Sequence, residues 1–519
     1  MTFSYESAKS AASFVNSLGV NTHVDYLNSP YSNASVVENS INYLGIKNLR
    51  DSPNAPGDIG ATGLWQQIAN ATGAKFDAFL REGSVANIQT DLNNIAALAP
   101  QHILNFIEGG DEEDDQAALL AGNSLATTAS YQQQVYATGQ KFGLPVINLS
   151  FGQGWSSSST GDYGTVGNLA AYANYANAHT YPGTGNSPWG ALSILGSDAQ
   201  LAAVGKPVIT TEFGYYTSGS STDANSVSQT VQAKYILDGV MDAFVQGEAK
   251  IYIYELLDEQ SGNGAAWGNF GLFTSSGAPK PAAVALHNLT SLLADNGPAF
   301  TPGTLGISLS GTLSTDHSML LEKSDGSFWL ALWNEARLSG PTSPTNITVP
   351  NHTVTLSLAT TAGTVQIFDP LTGTSSLQTL TNVGTLAVSV PDHPILVEIN
   401  PAAPTPQDLS ITLPAALSPT HGLLNALTGI TIDDAWAQAH AGSMMLNLSA
   451  TSGTLEISNG TSTLSGHALH LSGSLTQLNA DLTTLHYQAP ALVGVDSLTV
   501  NVWNQAGISN THTLAVHII

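Results

Sequence analysis

Between residues 20 and 296 the chain alternates eight β-prone runs with eight helix-prone ones. Strands are expected at 20–26, 46–50, 75–81, 102–107, 145–150, 176–181, 208–211 and 250–254. Helices are expected at 34–44, 63–71, 85–98, 124–142, 166–173, 193–204, 226–244 and 281–293. The run at 208–211, Val-Ile-Thr-Thr, is typical: β-formers throughout, opened by Lys206-Pro207. Eight βα units in succession point to a parallel (β/α)8 barrel, whose chemistry sits at the C-terminal ends of its strands.

The texture changes near residue 298. Residues 298–400 read as short alternating strands split by turns such as Ser324-Asp325-Gly326, the pattern of an antiparallel β-sandwich. Residues 401–407 form a stiff Pro-Ala linker. Residues 408–519 are again all-β, with almost no helix signal. The expected organisation is therefore a barrel over 1–297, a sandwich over 298–400, and a second sandwich over 408–519.

Charge excludes some functions. Twelve basic residues against 38 acidic ones give a formal charge of −26, so no basic patch for nucleic acid is available. The absence of cysteine removes disulfides and thiolate metal sites. No apolar run reaches the roughly 18 residues of a membrane span. Only 10% of residues are charged, and Ser, Thr, Asn, Gln and Gly must form the surface. That profile suits an exported bacterial protein, although the start, MTFSYESAKSAASFV, shows no signal peptide.

Two strand ends carry carboxylates. The seventh strand runs straight into Glu212, followed by Gly214. The fourth leads into FIEGGDEEDD, residues 106–115, where two glycines would let the chain turn. Blander readings exist: a surface salt bridge for Glu212, and a solvated acidic loop or a calcium site for the acidic run. Yet two carboxylates at one barrel face can flank a glycosidic bond, one protonating the leaving oxygen and the other attacking the anomeric carbon.

In these features the chain resembles the retaining glycoside hydrolases of clan A. Those barrels carry an acid/base after strand four, commonly in a run like E-G-x-N-E, and a nucleophile after strand seven. Here the run is Glu108-Gly109-Gly110-Asp111-Glu112, and the seventh strand ends in TEFGY. The resemblance implies Glu112 as acid/base and Glu212 as nucleophile. Asp111 stands where the clan has Asn; an ionised Asp can only accept hydrogen bonds, where Asn donates, and its charge would raise the pKa of Glu112. Arg50 in LGIKNLRDS matches the arginine that supports the nucleophile. His179 and Tyr181 in AHTYPG match the residues of strand six that line the site. Tyr254 and Glu255 end strand eight, and GNFGLFTSSGAPKPAAVALHNL is similar to the end of family 5 and family 39 barrels. The sandwich, with SFWLALWNEA and IFDPLTGT, is similar to the β-domain that trails such barrels. Trp155, Trp189, Tyr215, Tyr216 and Trp267 fall in expected βα loops, where rings stack on sugars or pack the loop; Trp329 and Trp333 are expected in the sandwich core.

The last module resembles the cadherin-like, immunoglobulin-type repeats of secreted bacterial proteins, in MLNLSATSGTLEIS and LTQLNADLTTLHYQAPALVGVDSLTVNVWN. Such modules bind structural calcium through Asp pairs. Asp433, Asp434 and Asp496 are candidates, with solvated turn residues as the alternative. The module would serve as a spacer, or attach the chain to a cell surface or matrix. The expectation is thus a secreted retaining glycoside hydrolase that needs no cofactor and acts on a polysaccharide or oligosaccharide. The alternatives are a non-catalytic carbohydrate-binding adhesin on a barrel scaffold and a calcium-loaded structural protein.

Overall fold

The computed structural model describes residues 3–26, 28–53, 59–81, 88–112, 114, 125–152, 159–218, 223–259, 268–402, 409–440, 443–460, 462–505 and 507–519. Eight parallel strands form the barrel: Leu18–Asn21, Asn48–Asp51, Lys75–Leu80, Leu104–Gly110, Val146–Ile147, Ala176–Thr180, Val208–Phe213 and Lys250–Ile253. They are called strands one to eight below. Strand eight pairs with both strand one and strand seven. The bridge Ile147↔Tyr175 closes the ring between strands five and six. Helices such as Leu125–Phe142, Pro188–Ala202 and Gln229–Val245 cover the outside.

Register decides which side chains meet. Arg50 lies beside Asn21 on one flank and Asp77 on the other, and His179 lies beside Glu212. Two strands run further than their sequence suggests. Strand seven continues to Phe213 and so contains Glu212. Strand four continues to Gly110, so the two glycines extend the strand and do not turn it. The reason is close approach: a Cβ on Gly109 would sit 2.6 Å from the Leu149 backbone nitrogen and 2.1 Å from Gln132 Oε1. Glycine is what lets strand four lie against the residues after strand five.

The first sandwich is an eight-stranded sheet built on His352–Phe368, which pairs with Thr304–Ser310, Gln378–Val390 and Ile395–Pro401. The chain's first residues belong here too. Ser4–Ser7 pair with Thr304–Ser310 and Lys9–Ser10 with Asp316–Glu322, so the barrel proper starts after residue 10, not at residue 1. Sandwich and barrel share one apolar core, in which Met319, Leu321, Trp329 and Trp333 join Phe14, Met241 and Leu289. Lys234 reaches across to Asp392 at 2.6 Å.

A group of carboxyls is buried at the same seam. Asp238 and Asp242, on the helix Gln229–Val245, are fully buried, and Asp242 accepts from Trp333 Nε1 at 3.1 Å. Burial, together with Glu335, pushes both pKa values well above the carboxylate range. The folded protein therefore keeps protons there that the unfolded chain releases near pH 4. These groups contribute most below pH 4, and their contribution falls as pH rises from there. Unfolding followed by circular dichroism from pH 4 to 9 should show Asp238→Asn with a flatter decline than wild type.

Residues 409–519 form two four-stranded antiparallel sheets and a two-stranded one around a separate core, with Leu446, Leu455, Tyr487 and Val500 at its centre. Two short helices interrupt the expected all-β pattern. Leu475–Leu482 starts on a Ser474 side chain that accepts from the Gln477 amide, and it buries Leu478 and Leu482 one turn apart.

Candidate active site

Strand two delivers Arg50 to the mouth of the barrel, where it is 1% exposed. Its guanidinium lies over the Phe79 ring, with Cζ 4.1 Å from the centroid. Nε and Nη2 donate to the two oxygens of Glu108, each at 2.8 Å. Nη2 also donates to Asp111 Oδ1 at 2.6 Å. Nη1 donates to Glu212 Oε1 at 2.6 Å and to Asn21 Oδ1 at 3.0 Å. One planar fork thus holds three carboxyl groups from two strand ends, a task an ammonium could not perform.

Glu212 has its second oxygen on the Tyr181 hydroxyl, which donates to it. Burial alone would raise its pKa, but His179 and Arg50 outweigh burial and hold it below the ordinary carboxylate value. It is an ionised carboxylate with one oxygen on a cation and the other on a phenol.

His179 stands between the two glutamates. Its Nδ1 is 2.9 Å from Glu112 Oε1 and 3.6 Å from Glu212 Oε2, and its Nε2 is 3.1 Å from Thr211 Oγ1. Burial pulls its pKa down, yet Glu212, Glu112 and Asp111 push it up to about 9. Both ring nitrogens face oxygen atoms, and His179 lies in two clusters with ligand-like spacing, one with Glu108 and Asp111 and one with Glu112 and Glu212.

Glu112 follows strand four by two residues. Its backbone is left-handed, with φ 41°, and its N–H donates to Ser150 Oγ at 3.1 Å. One of its oxygens lies within 4.8 Å of a Glu212 oxygen. The carboxylate sits over Gly152, where a Cβ would come 2.6 Å from Cδ. Gly152→Ala should therefore displace Glu112 and cut turnover on the order of 10²-fold, as small misplacements of reacting groups do. Thermal unfolding should hardly change, and kcat measured beside melting temperature separates the two effects.

Asp111 departs from expectation. Burial, helped by Glu212 and Glu112 and opposed by Arg50 and His179, pushes its pKa up to about 8. The shift runs toward the protonated form, whereas the sequence pattern was read with Asp111 ionised. Behind the site, Asn177 donates to Glu108 Oε1 at 2.8 Å and Thr211 donates to Asn177 Oδ1 at 2.6 Å. Asp77 lies beneath Glu108, its pKa raised far above normal by burial and by Glu108.

Tyr254 faces Tyr181 and Phe270 edge-on, at 6.0 and 5.3 Å between centroids, and its hydroxyl is 3.1 Å from His23 Nε2. His23 stacks on Tyr26 at 4.6 Å. Burial pushes its pKa down to about 3, so it is neutral. His23, Glu255 and Glu259 could together hold a cation, their ligand atoms lying within 4.8 Å of one another. Glu255, expected to touch substrate, is wholly buried and accepts from Tyr31 at 2.9 Å. It supports this corner from behind, because its side chain turns inward from the strand end.

Two expected stacking rings also go elsewhere. Tyr215 is 3% exposed, donates to the Asn186 carbonyl at 2.8 Å and packs on Tyr235. Trp189 stacks on His317 of the first sandwich at 3.9 Å. Trp155 and Trp267 lie outside the described residues. In the last module, Asp434 is buried and accepts from Ala437 N and Asn504 Nδ2, whereas Asp496 accepts from Ser452 N, Gly453 N and the Tyr487 hydroxyl. Asp434 ends the strand Thr431–Asp434 near Asn504, and Asp496 stands at the far end of the strand Gly494–Asn504, so the structure does not gather the three aspartates. Sequence reasoning passed over Glu108, His23 and Glu259. The signal was present for His23, which follows strand one as closely as Glu112 follows strand four.

No protein-family model matches this sequence, and no curated protein matches it. Solved structures do. A family 39 glycoside hydrolase from the gut symbiont Bacteroides cellulosilyticus WH2 aligns over 75% of this chain and 82% of its own, with a TM-score of 0.52 and 13% identity. A monomeric β-xylosidase from Caulobacter crescentus CB15 aligns over 77% of this chain and 98% of its own, with a TM-score of 0.50 and 12% identity. At such identities the likeness shows the fold: the barrel with its trailing β-structure is one that glycoside hydrolases use.

Proposed function

We propose that this chain is a retaining glycoside hydrolase that cleaves glycosidic bonds in a polysaccharide or oligosaccharide. The observation that carries the reading is the pair Glu212 and Glu112, with oxygens within 4.8 Å of each other and His179 between them. A retaining pair sits about 5–5.5 Å apart, too close to admit a water between carboxylate and sugar. Glu212 attacks the anomeric carbon as Glu112 gives its proton to the leaving oxygen, forming a glycosyl ester and releasing the alcohol. Glu112, now a carboxylate, takes a proton from water; the water oxygen attacks the same carbon, and Glu212 leaves. The anomeric configuration is inverted twice and so retained. Arg50 and Tyr181 keep Glu212 ionised for the first step and stabilise it as a leaving group in the second. The chemistry calls for no cofactor.

The uncharged polar surface and the −26 charge support a neutral glycan as substrate and an extracellular address. None of the described helices is long and apolar enough to cross a membrane. The last module fits the role of spacer or attachment unit. Reducing-sugar release from a panel of plant and bacterial polysaccharides tests the reading. Proton NMR of the first product formed should show the substrate's own anomeric configuration. The opposite configuration would exclude a retaining mechanism, and sugar binding without release would favour the adhesin reading.

A further inference from the structure

The corner between strand one and strand eight gathers polar side chains that the two-glutamate chemistry does not use. His23 follows strand one by two residues, and Glu255 and Glu259 stand in the segment after strand eight. His23 Nε2 lies 3.7 Å from Glu255 Oε2 and 3.9 Å from Glu259 Oε1. Those gaps are too wide for hydrogen bonds. The three ligand atoms all lie within 4.8 Å of one another. A point in their plane and equidistant from all three is therefore about 2.0 to 2.5 Å from each, the bond length of a divalent cation to nitrogen and oxygen.

The corner is also short of positive charge. Glu255 is wholly buried, and Tyr31 donates to its Oε2 at 2.9 Å. Its other oxygen, Oε1, is buried with no hydrogen-bond partner among the described residues. The neighbouring cations are engaged by other carboxylates, Arg81 by Asp25 and Lys280 by Asp258 at 3.0 Å. Among the described residues His23 is the group that pairs with Glu255 and Glu259. Its ring is held in place for that: it stacks on Tyr26 at 4.6 Å and meets Tyr31 and Tyr254 edge-on at 5.7 and 5.5 Å between centroids. Packing on three sides fixes the direction of Nε2, as second partners do for metal-ligating histidines. The Tyr254 hydroxyl, 3.1 Å from Nε2, is close enough to supply a fourth oxygen. The Glu259 side chain is 21% exposed, so an ion can enter on that side.

We propose that His23, Glu255 and Glu259 bind one divalent cation, zinc by its donor set, which ties strand one to the segment after strand eight. An imidazole nitrogen with two carboxylates suits zinc, whereas magnesium and calcium take oxygen ligands. The ion is structural. It takes no part in the displacement at the anomeric carbon, and it bears on the catalytic pair only through Tyr254, whose ring faces Tyr181 edge-on.

The test needs no turnover, so it stands whether or not any glycan is cleaved. The full chain is stripped with EDTA, loaded with zinc chloride and dialysed, and zinc content and unfolding temperature are measured. Wild type should retain one equivalent more than Glu259→Gln, which keeps the side chain's shape and removes its charge. Zinc at a hundredfold excess over its Kd should raise the unfolding temperature of wild type by on the order of 5 °C and leave that of Glu259→Gln unmoved. His23→Gln should behave as Glu259→Gln does; should it fail to fold, the half-open Glu259 position still decides the matter. His179 lies in both of the other clusters with ligand-like spacing among the described residues, so His179→Asn should keep the zinc effect in full. A wild-type unfolding temperature that does not move with zinc would overturn the proposal. So would equal retention in wild type and Glu259→Gln, or an effect lost in His179→Asn and kept in Glu259→Gln.

Discussion

Glu212→Ala is expected to abolish sugar release, with kcat lower by about 10⁴-fold or more, as when other covalent nucleophiles are removed. The fold should survive, because the change removes one of three carboxyls on Arg50 and leaves the Glu108 fork whole. The removal also leaves a small space lined by Arg50, Tyr181 and His179. A small anion such as azide should enter that space, drawn by the Arg50 guanidinium, and attack the anomeric carbon of an aryl glycoside in place of the carboxylate. The product would be a glycosyl azide of inverted configuration. Its appearance with Glu212→Ala and not with Glu112→Ala, read by proton NMR, assigns the nucleophile. Full activity in Glu212→Ala would end the two-glutamate mechanism for this chain.

Arg50→Met should have the largest effect on the fold. It leaves Glu108 fully buried with no cation, beside Asp111 and Glu212. Breaking a buried pair in this way costs about 3–5 kcal/mol, since the stranded charge must be neutralised or hydrated in place. Denaturant unfolding should show the midpoint displaced by that amount. Glu212 would lose one of the two cations that hold its pKa down, so whatever protein remains folded should carry a more protonated, less nucleophilic Glu212 and turn over only at higher pH. Arg50→Lys keeps the charge but has no fork. It should regain part of the stability and almost none of the activity, because one ammonium cannot reach Glu108 and Glu212 together. Wild-type stability in Arg50→Met would show that the cluster is not held by this residue.

The order of elements was legible from residue 20 onward, because a β-prone run and a helix-prone run bury different patterns of side chains and their alternation leaves few architectures open. The strand ends were legible for the same reason. Glu212, His179 and Arg50 each stand on a short run whose neighbours are buried strand residues. What could not be read is where each side chain goes once the strands close into a ring. Glu108 and Glu112 differ by four positions in one acidic run, yet one is a wholly buried partner of Arg50 and the other a half-open acid beside His179. Strand four runs on to Gly110, and the chain turns only after it.

The same limit explains the misplaced residues. Glu255 and Tyr215 follow their strands much as Tyr181 follows its own, but Tyr31 and Tyr235 come from distant segments to cover them. Ser4–Ser7 look like an ordinary leading segment, and only the arrival of Thr304–Ser310 makes them part of a sheet. Sequence by itself determined the barrel, the two β-regions and the strand ends that carry carboxylates, because these follow from local periodicity. Tertiary structure alone decided which carboxyls share Arg50 and which of them lie deepest. Those outcomes depend on burial and on distances of 2.6 to 3.6 Å between groups up to 162 residues apart, and no local pattern encodes them.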